Sequence, residues 1–396
     1  MTDVFLLSAA RTAIGSFGGS LKDQKPGELA AHVAKAAIER AGVDAAQIGN
    51  VVLGNVVHCE PRDAYAARIA AIGAGVPQEC PALTVNRLCG SGLQAIISAA
   101  QSIMLGDCNV AIGAGAEIMS RAPYFLPAAR WGQKMGDAVA QDGLIGALTD
   151  PFQAIHMGVT AENVAARYGI SREEQDALAF VSQKRAANAI AQGYFKDQIV
   201  PVDVLVRRKL VSFNTDEFVR ADAAADDFGK LKPVFQKEGT VTAGNASGIN
   251  DGASAVVLAS AAAVSASGLK PLARLVSYGH AGVDPAYMGI GPVPATRRAL
   301  EKAGLTIADL DVIESNEAFA AQACAVSKEL GFEPAKVNPN GSGISLGHPI
   351  GATGRSSLPS WSMNCAVSAH ATGWRRCASA AARGSQRFGS GSDFWF

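Results

Sequence analysis

The feature that most constrains the fold of this chain is an internal repeat. Residues 37–43 (AIERAGV) resemble residues 299–305 (ALEKAGL), and each segment leads into an apolar run that is typical of a β-strand. Residues 85–92 (VNRLCGSG) resemble residues 337–343 (VNPNGSG), which lack the cysteine. Alanine-rich helices can resemble one another by chance, but two matches in the same order favour duplication. We therefore expect two similar halves whose equivalent loops converge on one site.

An alternation of β-like and helical patterns marks both ends of the chain. It occupies residues 1–118 and returns from about residue 250. In the first part, β-like runs lie at 50–57 and 109–112, and helical patterns lie at 28–41 and 92–105. This alternation predicts an α/β fold in which helices cover a parallel sheet.

The middle zone, residues 119–248, is richer in charged, aromatic and irregular sequence. We interpret it as an insertion between the two halves that is suited to gripping a large substrate. It contains a predicted helix at 175–192, which follows a capping box from Ser171 to Glu174.

The bulk composition excludes several classes of protein. Hydrophobic residues make up 48% of the 396 positions and charged residues 18%, which is typical of a soluble enzyme with a large core. The 35 basic and 35 acidic residues balance, so we expect no nucleic-acid partner. We also expect no signal peptide and no membrane span, because no basic leader and no apolar run of about 18 residues occur. The seven scattered cysteines predict a cytoplasmic protein with free thiols and no metal site.

Cys89 is the first candidate for chemistry. It ends an apolar run and opens into glycines and a helical pattern. At a helix N-terminus, backbone N–H groups and the helix dipole stabilise a thiolate. A thiolate is a nucleophile, so this segment suggests covalent chemistry on an acyl group.

His348 and Asn316 are candidates for the partners of this cysteine. His348 lies in the glycine-rich segment 347–354 (GHPIGATG), where it could take the thiol proton; the alternative is an ordinary turn histidine. Asn316 lies in 314–320 (ESNEAFA), at the end of a β-like run, where an amide could hold a water or orient a ring nitrogen. The alternative there is a helix N-cap.

The segment 241–252 (VTAGNASGINDG) is rich in small residues that allow a close backbone approach to a ligand chain. It is neither a G-x-G-x-x-G sequence nor a Walker sequence, so it does not predict a cradle for nucleotide phosphates. By itself it is only a loop before a buried element.

Four segments together resemble the thiolases, in order and in spacing, over residues 1 to about 354. They are NRLCGSG at 86–92, GNASG at 244–248, NEAF at 316–319 and GHP at 347–349. The resemblance is to the bacterial acetyl-CoA acetyltransferase and β-ketothiolase group. It implies a five-layered α-β-α-β-α fold and a homotetramer or homodimer. The implied domains are an N-terminal half at 1–118 with 249–268 returning to it, a coenzyme A-binding loop domain at 119–248, and a C-terminal half at 269–396.

The resemblance also implies a ping-pong reaction on acetyl-CoA and other short acyl-CoA thioesters, which are substrates; no separate cofactor is implied. Cys89 would be the acylated nucleophile and His348 its activator. Asn316 would orient a water that, with His348, stabilises the thioester oxyanion. A second acetyl-CoA, after loss of an α-proton, would attack the acetyl group to give acetoacetyl-CoA.

Binding residues are carried over from the family by position. Ser247 would meet the pantetheine and Arg220 the adenine end of coenzyme A. His156 and Met157 match the pantetheine-side pocket, where packing is the alternative role. The residues expected to border the acyl pocket are Leu148, Met288 and Phe319.

The last 42 residues, 355–396, depart from the family. Thiolases carry a C-terminal Cys-x-Gly-Gly-Gly motif, which supplies the second base and completes the oxyanion hole, and this sequence does not contain it. Pro359 falls inside an expected helix, and Cys377 lies near the expected cysteine but without the glycines. We hypothesise a translated frameshift near codon 355; the alternative is an authentic divergent tail.

Two other functions stay open on the sequence alone. If the tail is authentic, the chain would be a catalytically impaired acyl-CoA-binding relic. A decarboxylating condensing enzyme of the same fold is the other alternative, although such enzymes pair the cysteine with two histidines, or with a histidine and an asparagine, and lack NEAF in this setting. The sequence leaves open the acyl chain length, the direction of the reaction, and the choice between polyester synthesis and fatty-acid breakdown.

Overall fold

The computed structural model describes residues 2–352 and the backbone of two short strands further on, Cys377–Ala378 and Ser392–Trp395. Strands and helices alternate along the first part of the chain, as predicted. The elements are β1 (Val4–Arg11), β2 (Gly15–Ser16), α1 (Pro26–Ala41), β3 (Asn50–Gly54), α2 (Ala66–Gly73), β4 (Ala82–Val85), α3 (Ser91–Leu105) and β5 (Val110–Ile118).

The middle of the chain is irregular and contains short strands beside two long helices. Its elements are β6 (Tyr124–Phe125), β7 (Gln141–Asp142), α4 (Gly143–Ala147), α5 (Met157–Tyr168), α6 (Arg172–Ala191), β8 (Val202–Val206), β9 (Lys209–Phe213) and α7 (Ala225–Gly229). The capping box predicted for α6 is confirmed: Ser171 Oγ accepts the Glu174 N–H at 3.2 Å, and the Glu174 carboxylate accepts the Ser171 N–H at 2.7 Å.

After the middle segment, strands and helices alternate again. The elements are β10 (Asn250–Ser260), α8 (Ala261–Ser267), β11 (Ala273–Ser277), α9 (Pro292–Ala303), β12 (Val312–Ile313), α10 (Ala320–Leu330), α11 (Gly343–Leu346), β13 (Cys377–Ala378) and β14 (Ser392–Trp395).

The repeat seen in the sequence is a structural repeat. α1 and α9 both begin with proline in the first turn, and both end at a glycine with left-handed backbone, Gly42 and Gly304. A short 3₁₀ turn follows each helix and leads into the next strand, β3 or β12. Each helix therefore stops where its C-terminal glycine allows the chain to reverse toward the sheet.

The main sheet is mixed rather than parallel. Its strand order is β14-β11-β1-β10-β5-β3-β4, and β2 pairs with β10. β3 is parallel to β4 and β5, whereas β10 is antiparallel to both β5 and β1. The prediction of a parallel sheet is therefore wrong for β10. The chain reaches β10 from the middle segment and not through a crossover helix after β5, so the connection does not require a parallel pair.

Helices cover both faces of this sheet. α1 and α2 pack with β5 and β10 in one apolar cluster, and α3 packs with β3, β5 and β10 in another. The stretch Leu88–Leu105, which includes α3, is the one window of the described part with the length and composition of a membrane span, and half of it is buried. Its buried residues, Ala95, Ile96, Ala99 and Ile103 among them, belong to the second cluster, so α3 is a core helix here.

A buried ion pair joins the sheet to the middle segment. The Arg11 guanidinium at the end of β1 contacts both Asp216 oxygens, at 2.7 and 2.9 Å, and Asp216 also accepts the Ile14 N–H at 2.8 Å. Arg11 and Asp216 are 1% and 4% exposed. These donors compensate the negative charge of the buried Asp216 carboxylate. The contact therefore fixes the segment near Asp216 against β1.

The expectations about residues 355–396 fall almost wholly outside the described residues. Of that region the structure gives the pairing of β13 with β12 and of β14 with β11, both parallel. The helix expected around Pro359 and the surroundings of the Cys377 side chain lie outside the described part.

Candidate active site

Cys89 lies in a tight turn between β4 and α3. Leu88, just before it, has φ +47°, a left-handed conformation that is uncommon for a residue with a Cβ. The fully buried Ser91 holds this turn: its Oγ accepts the Arg87 N–H at 2.7 Å and donates to the Leu88 carbonyl at 2.7 Å. The Ser91 hydroxyl therefore stabilises the strained turn that carries Cys89 at the start of α3.

The Cys89 thiol is not a spontaneous thiolate in this position. Burial raises its pKa to about 11; the Cys89 backbone N–H acts in the opposite direction, and the charge of Glu117 adds a smaller upward contribution. The stabilisation expected from the helix N-terminus is therefore outweighed by the loss of water around the sulfur. Cys89 therefore needs a base that takes the thiol proton as the sulfur attacks.

His348 supplies a neutral imidazole close to this turn. Its ring is buried, and burial lowers its pKa to about 4, so it is uncharged and able to accept a proton at neutral pH. The backbone of His348 is fixed by its N–H, which donates to Asn250 Oδ1 at 2.9 Å. Asn250 in turn donates from Nδ2 to the Gly15 carbonyl at 3.1 Å, which anchors the loop to the main sheet.

The Cys89 turn and the His348 loop meet at the end of β3. A Cβ built on Gly54 would lie 2.6 Å from the Ser91 carbonyl oxygen and 2.8 Å from the Gly351 carbonyl oxygen. Two backbone segments thus pass on either side of Gly54 at a separation that no larger residue allows. The sequence predicts a nucleophile and a base from distant parts of the chain, and the structure places their segments against the same residue.

A cavity of about 380 Å³ opens beside Cys89. Its volume lies in the range of small-molecule sites. Four of the residues predicted from the sequence line it, and they are Cys89, Met288, Asn316 and Phe319. Much of the remaining wall is apolar and includes Leu93, Pro292, Ile313, Val326 and Phe332.

Asn316 lies in the loop between β12 and α10, on the wall of this cavity. Its carbonyl accepts from Gln322 Nε2 at 3.1 Å, which ties the loop to the first turn of α10. The next residue, Glu317, is buried and accepts from Ser182 Oγ at 2.6 Å and Asn338 Nδ2 at 2.8 Å. These contacts fix the backbone of the loop that places Asn316 on the cavity wall.

Comparison with protein families agrees with this geometry. The model of the thiolase N-terminal domain matches residues 4–262, and that of the thiolase C-terminal domain matches residues 269–378. The chain belongs to the thiolase family. The family predicted from the four sequence segments is therefore confirmed.

Individual relatives support the same assignment. A protein of Cupriavidus necator named beta-ketothiolase BktB is 67% identical over 353 residues, which cover 89% of this chain and 90% of that protein. An acetyl-CoA acetyltransferase of Pseudomonas aeruginosa is 52% identical over 356 residues, with the same coverage of 89% and 90%.

Solved thiolase structures confirm the predicted fold. The acetyl-CoA acetyltransferase of Bacillus anthracis matches with a TM-score of 0.91 at 47% identity, covering 93% of each chain. The human mitochondrial 3-ketoacyl-CoA thiolase matches with a TM-score of 0.90 at 43% identity, again over 93% of each chain.

The structure groups three of the other predicted thiolase residues at one end of α5. His156 caps this helix, because its Nδ1 accepts the Gly158 N–H at 3.0 Å, and its ring stacks on Phe235 at 4.9 Å. Phe235 packs edge-on against Phe319, a residue of the cavity wall, at 6.1 Å. The Met157 N–H donates to the Leu148 carbonyl at 2.8 Å. His156 therefore has a structural role as helix cap, whether or not it also meets a substrate.

Ser247 and Arg220 lie in different surroundings. The Ser247 N–H donates to the Ala318 carbonyl at 2.9 Å, so the loop that carries Ser247 runs beside the cavity wall. Arg220 lines a second cavity, of about 220 Å³, with Asp222, Asp227, Phe228 and Leu231. The structure thus separates the expected contact with the adenine end from the cavity at Cys89.

Three glutamates of this thiolase were not singled out from the sequence. Glu117 at the end of β5 and Glu317 are buried, and Glu314, on the wall of the first cavity, is half-buried. In each case burial is the largest cause of a pKa above the ordinary value for a glutamate. For Glu117 the signal was present: it is an acid within the apolar run Val110–Ile118, whose residues are all buried. Perturbed carboxyls of this kind cluster at functional sites.

Proposed function

We propose that this chain transfers acetyl groups between coenzyme A thioesters, condensing two acetyl-CoA to acetoacetyl-CoA or cleaving short 3-ketoacyl-CoA with coenzyme A. The observation that carries the proposal is the convergence of the Cys89 turn and the His348 loop on Gly54, beside a cavity that Asn316 also lines. Membership of the thiolase family supports the reaction class.

In the first half-reaction, the neutral His348 imidazole takes the thiol proton of Cys89. The sulfur then attacks the thioester carbonyl, a carbon–sulfur bond to Cys89 forms, and the bond to coenzyme A breaks. The imidazolium returns the proton to the departing coenzyme A thiolate. Because the thiol pKa is about 11 and the imidazole pKa about 4, this proton transfer is uphill in the free site, and it must be coupled to attack on the substrate.

The second half-reaction needs a base for the α-proton of the second acetyl-CoA and donors for an oxyanion. Asn316, through a water, is our proposed donor at the thioester carbonyl. The sequence lacks the Cys-x-Gly-Gly-Gly motif from which thiolases take the second base. We therefore propose that acetylation of Cys89 proceeds, whereas condensation and thiolysis by the chain as written are impaired.

This missing motif favours a second candidate function, an acyl-CoA-binding protein that acetylates Cys89 without completing the cycle. A decarboxylating condensing enzyme remains the third possibility, and incubation with a malonyl thioester distinguishes it by release of carbon dioxide.

Binding of coenzyme A is proposed to extend from the cavity at Cys89 toward Arg220. Ser247 lies beside the wall of the first cavity and would meet the pantetheine, and Arg220 in the second cavity would meet the adenine end. His156, Met157 and Leu148 would border the pantetheine and acyl groups. One relative, the human mitochondrial 3-ketoacyl-CoA thiolase, has been solved in complex with CoA, at a TM-score of 0.89 to this chain.

We further propose a cytoplasmic homotetramer or homodimer. Large apolar side chains are exposed at Leu83 and Leu88, 52% and 49%, and at Trp131 and Met135, both 86%. Exposed apolar groups of this size are typical of protein interfaces. Sedimentation of the purified chain tests the assembly, and a monomer at micromolar concentration would contradict it.

The test of the proposed activity separates its two halves. Mass spectrometry of the chain after incubation with acetyl-CoA is expected to show one acetyl group on Cys89, and none in Cys89→Ser. Coenzyme A-dependent cleavage of acetoacetyl-CoA is then measured for the chain as written and for a version with the reading frame restored after codon 355. Equal turnover by both would contradict the importance of the missing glycines, and no acetylation of Cys89 in either would contradict the proposed function.

A further inference from the structure

Glu117 is a buried carboxylate that the thiolase mechanism above does not use, yet it hydrogen-bonds both the loop after β3 and the loop that carries His348. Oε1 accepts from Val57 N at 3.0 Å and from Asn55 Nδ2 at 3.2 Å, and Oε2 accepts from Val56 N at 3.0 Å. The Gly351 N–H also donates to this carboxylate. Glu117 therefore binds the loop after β3 and the loop that carries His348 to the same two oxygens. The loop after β3 is in turn joined to the Cys89 turn, because Asn86 Nδ2 donates to the Val56 carbonyl at 3.3 Å.

The His348 loop is held at both of its ends by buried carboxylates. At one end, Ser345 Oγ contacts Ser182 Oγ at 2.8 Å, and Ser182 donates to Glu317 at 2.6 Å. At the other end, the Gly351 N–H donates to Glu117. The imidazole lies between these two anchors, so a change at either one moves the base relative to the thiol.

We propose that Glu117 is a positioning residue for the acylation of Cys89. It holds the His348 loop and the Cys89 turn in a fixed position relative to each other. The proposal deepens the function proposed above and rests on it. Loss of one anchor displaces the imidazole, and misplacement of a reacting group by about 1 Å lowers rates on the order of a hundredfold.

Glu117 also acts on Cys89 through its charge. The ionisable groups that face Glu117 are Cys89 before α3, Cys59 in the loop after β3, and Asp251 on β10. Burial raises the pKa of Glu117 to about 8, while the N–H groups of Val57, Val56 and Gly351 act in the opposite direction. Above that pH, Glu117 is an anion that opposes formation of the Cys89 thiolate. Removing this charge must therefore lower the pKa of the Cys89 thiol.

The test compares Glu117→Gln, Glu117→Asp and Glu317→Gln in the full chain. Glu317 is a matched control, because it is also buried and hydrogen-bonded and burial also raises its pKa. Unlike Glu117, it is not among the groups that raise the pKa of Cys89. Two quantities are measured by mass spectrometry of the Cys89 peptide: the rate of acetylation by acetyl-CoA, and the pH midpoint of alkylation by iodoacetamide.

Glu117→Gln is expected to slow acetylation at least about tenfold and to move the alkylation midpoint to lower pH. Glu117→Asp keeps the charge but shortens the side chain, so it is expected to slow acetylation while leaving the midpoint near that of the natural chain. Glu317→Gln is expected to leave the midpoint unchanged. If Glu117→Gln does not fold, Glu117→Asp alone tests the positioning role through its acetylation rate at an unaltered midpoint.

Acetylation of Glu117→Gln or of folded Glu117→Asp at the natural rate would overturn the proposal, and so would equal shifts of the midpoint in Glu117→Gln and Glu317→Gln. Failure of the proposed function looks different. In that case the unaltered chain is not acetylated by acetyl-CoA, while the alkylation midpoints still report whether Glu117 and Cys89 are coupled.

Discussion

Gly54→Ala tests whether the Cys89 turn and the His348 loop must meet at one point. The added Cβ would lie 2.6 Å from the Ser91 carbonyl oxygen and 2.8 Å from the Gly351 carbonyl oxygen, and both of these are backbone atoms. To reach an ordinary contact, the first of these must withdraw from 2.6 Å to about 3.4 Å. Neither segment can do so by rotating a side chain, so the displacement passes directly to the two reacting groups.

The expected result of this substitution is a kinetic loss larger than its effect on stability. Misplacement approaching 1 Å predicts acetylation of Cys89 roughly a hundredfold slower. Overpacking of this kind lowers the free energy of unfolding by about 1–3 kcal/mol. Acetylation is followed by mass spectrometry of the Cys89 peptide in stopped reactions, and unfolding by urea denaturation.

Gly252→Ala is the matched control. Gly252 is a buried residue of β10 beside the same loop, but a Cβ there would lie 3.4 Å from Pro349 Cγ, which is ordinary contact. We expect it to acetylate at nearly the natural rate. If Gly54→Ala is folded and acetylates as fast as Gly252→Ala, the two loops do not need to meet at Gly54 and the reasoning fails.

Three further outcomes are expected from the buried polar contacts. Asp216→Asn should lower the free energy of unfolding in urea by about 3–5 kcal/mol, because it leaves the Arg11 guanidinium buried without its counter-charge; Asp227→Asn, at an exposed ion pair, should leave the urea midpoint nearly unchanged. Asn250→Ala should slow acetylation about tenfold and lower the free energy of unfolding by about 1–3 kcal/mol, because the buried His348 N–H loses the Asn250 acceptor. As the pH is lowered past 6.5, the ordinary histidine pKa, the rate of acetylation should stay unchanged. It should fall only near pH 4, because burial disfavours the imidazolium of His348.

Each of these outcomes can fail in a definite way. Equal urea midpoints for Asp216→Asn and the unaltered chain would mean that the Arg11 pair does not anchor the middle segment. An unaltered acetylation rate in Asn250→Ala would remove the role given to the backbone of His348. An acid limb near pH 6.5 would show that the imidazole is solvated in the working enzyme.

Local signals in the sequence predicted local structure well. The capping box at Ser171 predicted the start of α6, because a helix start depends on short-range backbone geometry. The direction of β10 was not predictable in the same way. It depends on where a strand from a distant part of the chain finds an open place in the sheet.

The same distinction between local sequence signals and long-range packing applies to the candidate site. The sequence identified Cys89, Asn316, Met288 and Phe319, which share one cavity. It did not reveal that burial raises the pKa of the Cys89 thiol, because desolvation depends on tertiary packing around the sulfur. The sequence showed Glu117 as an acid within an apolar run but did not show its contacts, because its partners Val57 and Gly351 lie far from it along the chain. Roles given to individual site residues, and the origin of residues 355–396, stay predictions.

The way in which the middle segment is attached to the sheet has a consequence for engineering. The chain leaves the core at Ile118, the end of β5, and returns at Asn250; Asp251 pairs directly with Ile118. The two junctions are therefore neighbours across one antiparallel pair, about 5 Å apart. The segment between them can therefore be exchanged as a unit, provided that a replacement keeps Asp216 for Arg11 and Ser182 for Glu317 and Ser345. Substituting the equivalent segment of a relative should transplant its ligand recognition while leaving Cys89 and His348 in their own scaffold.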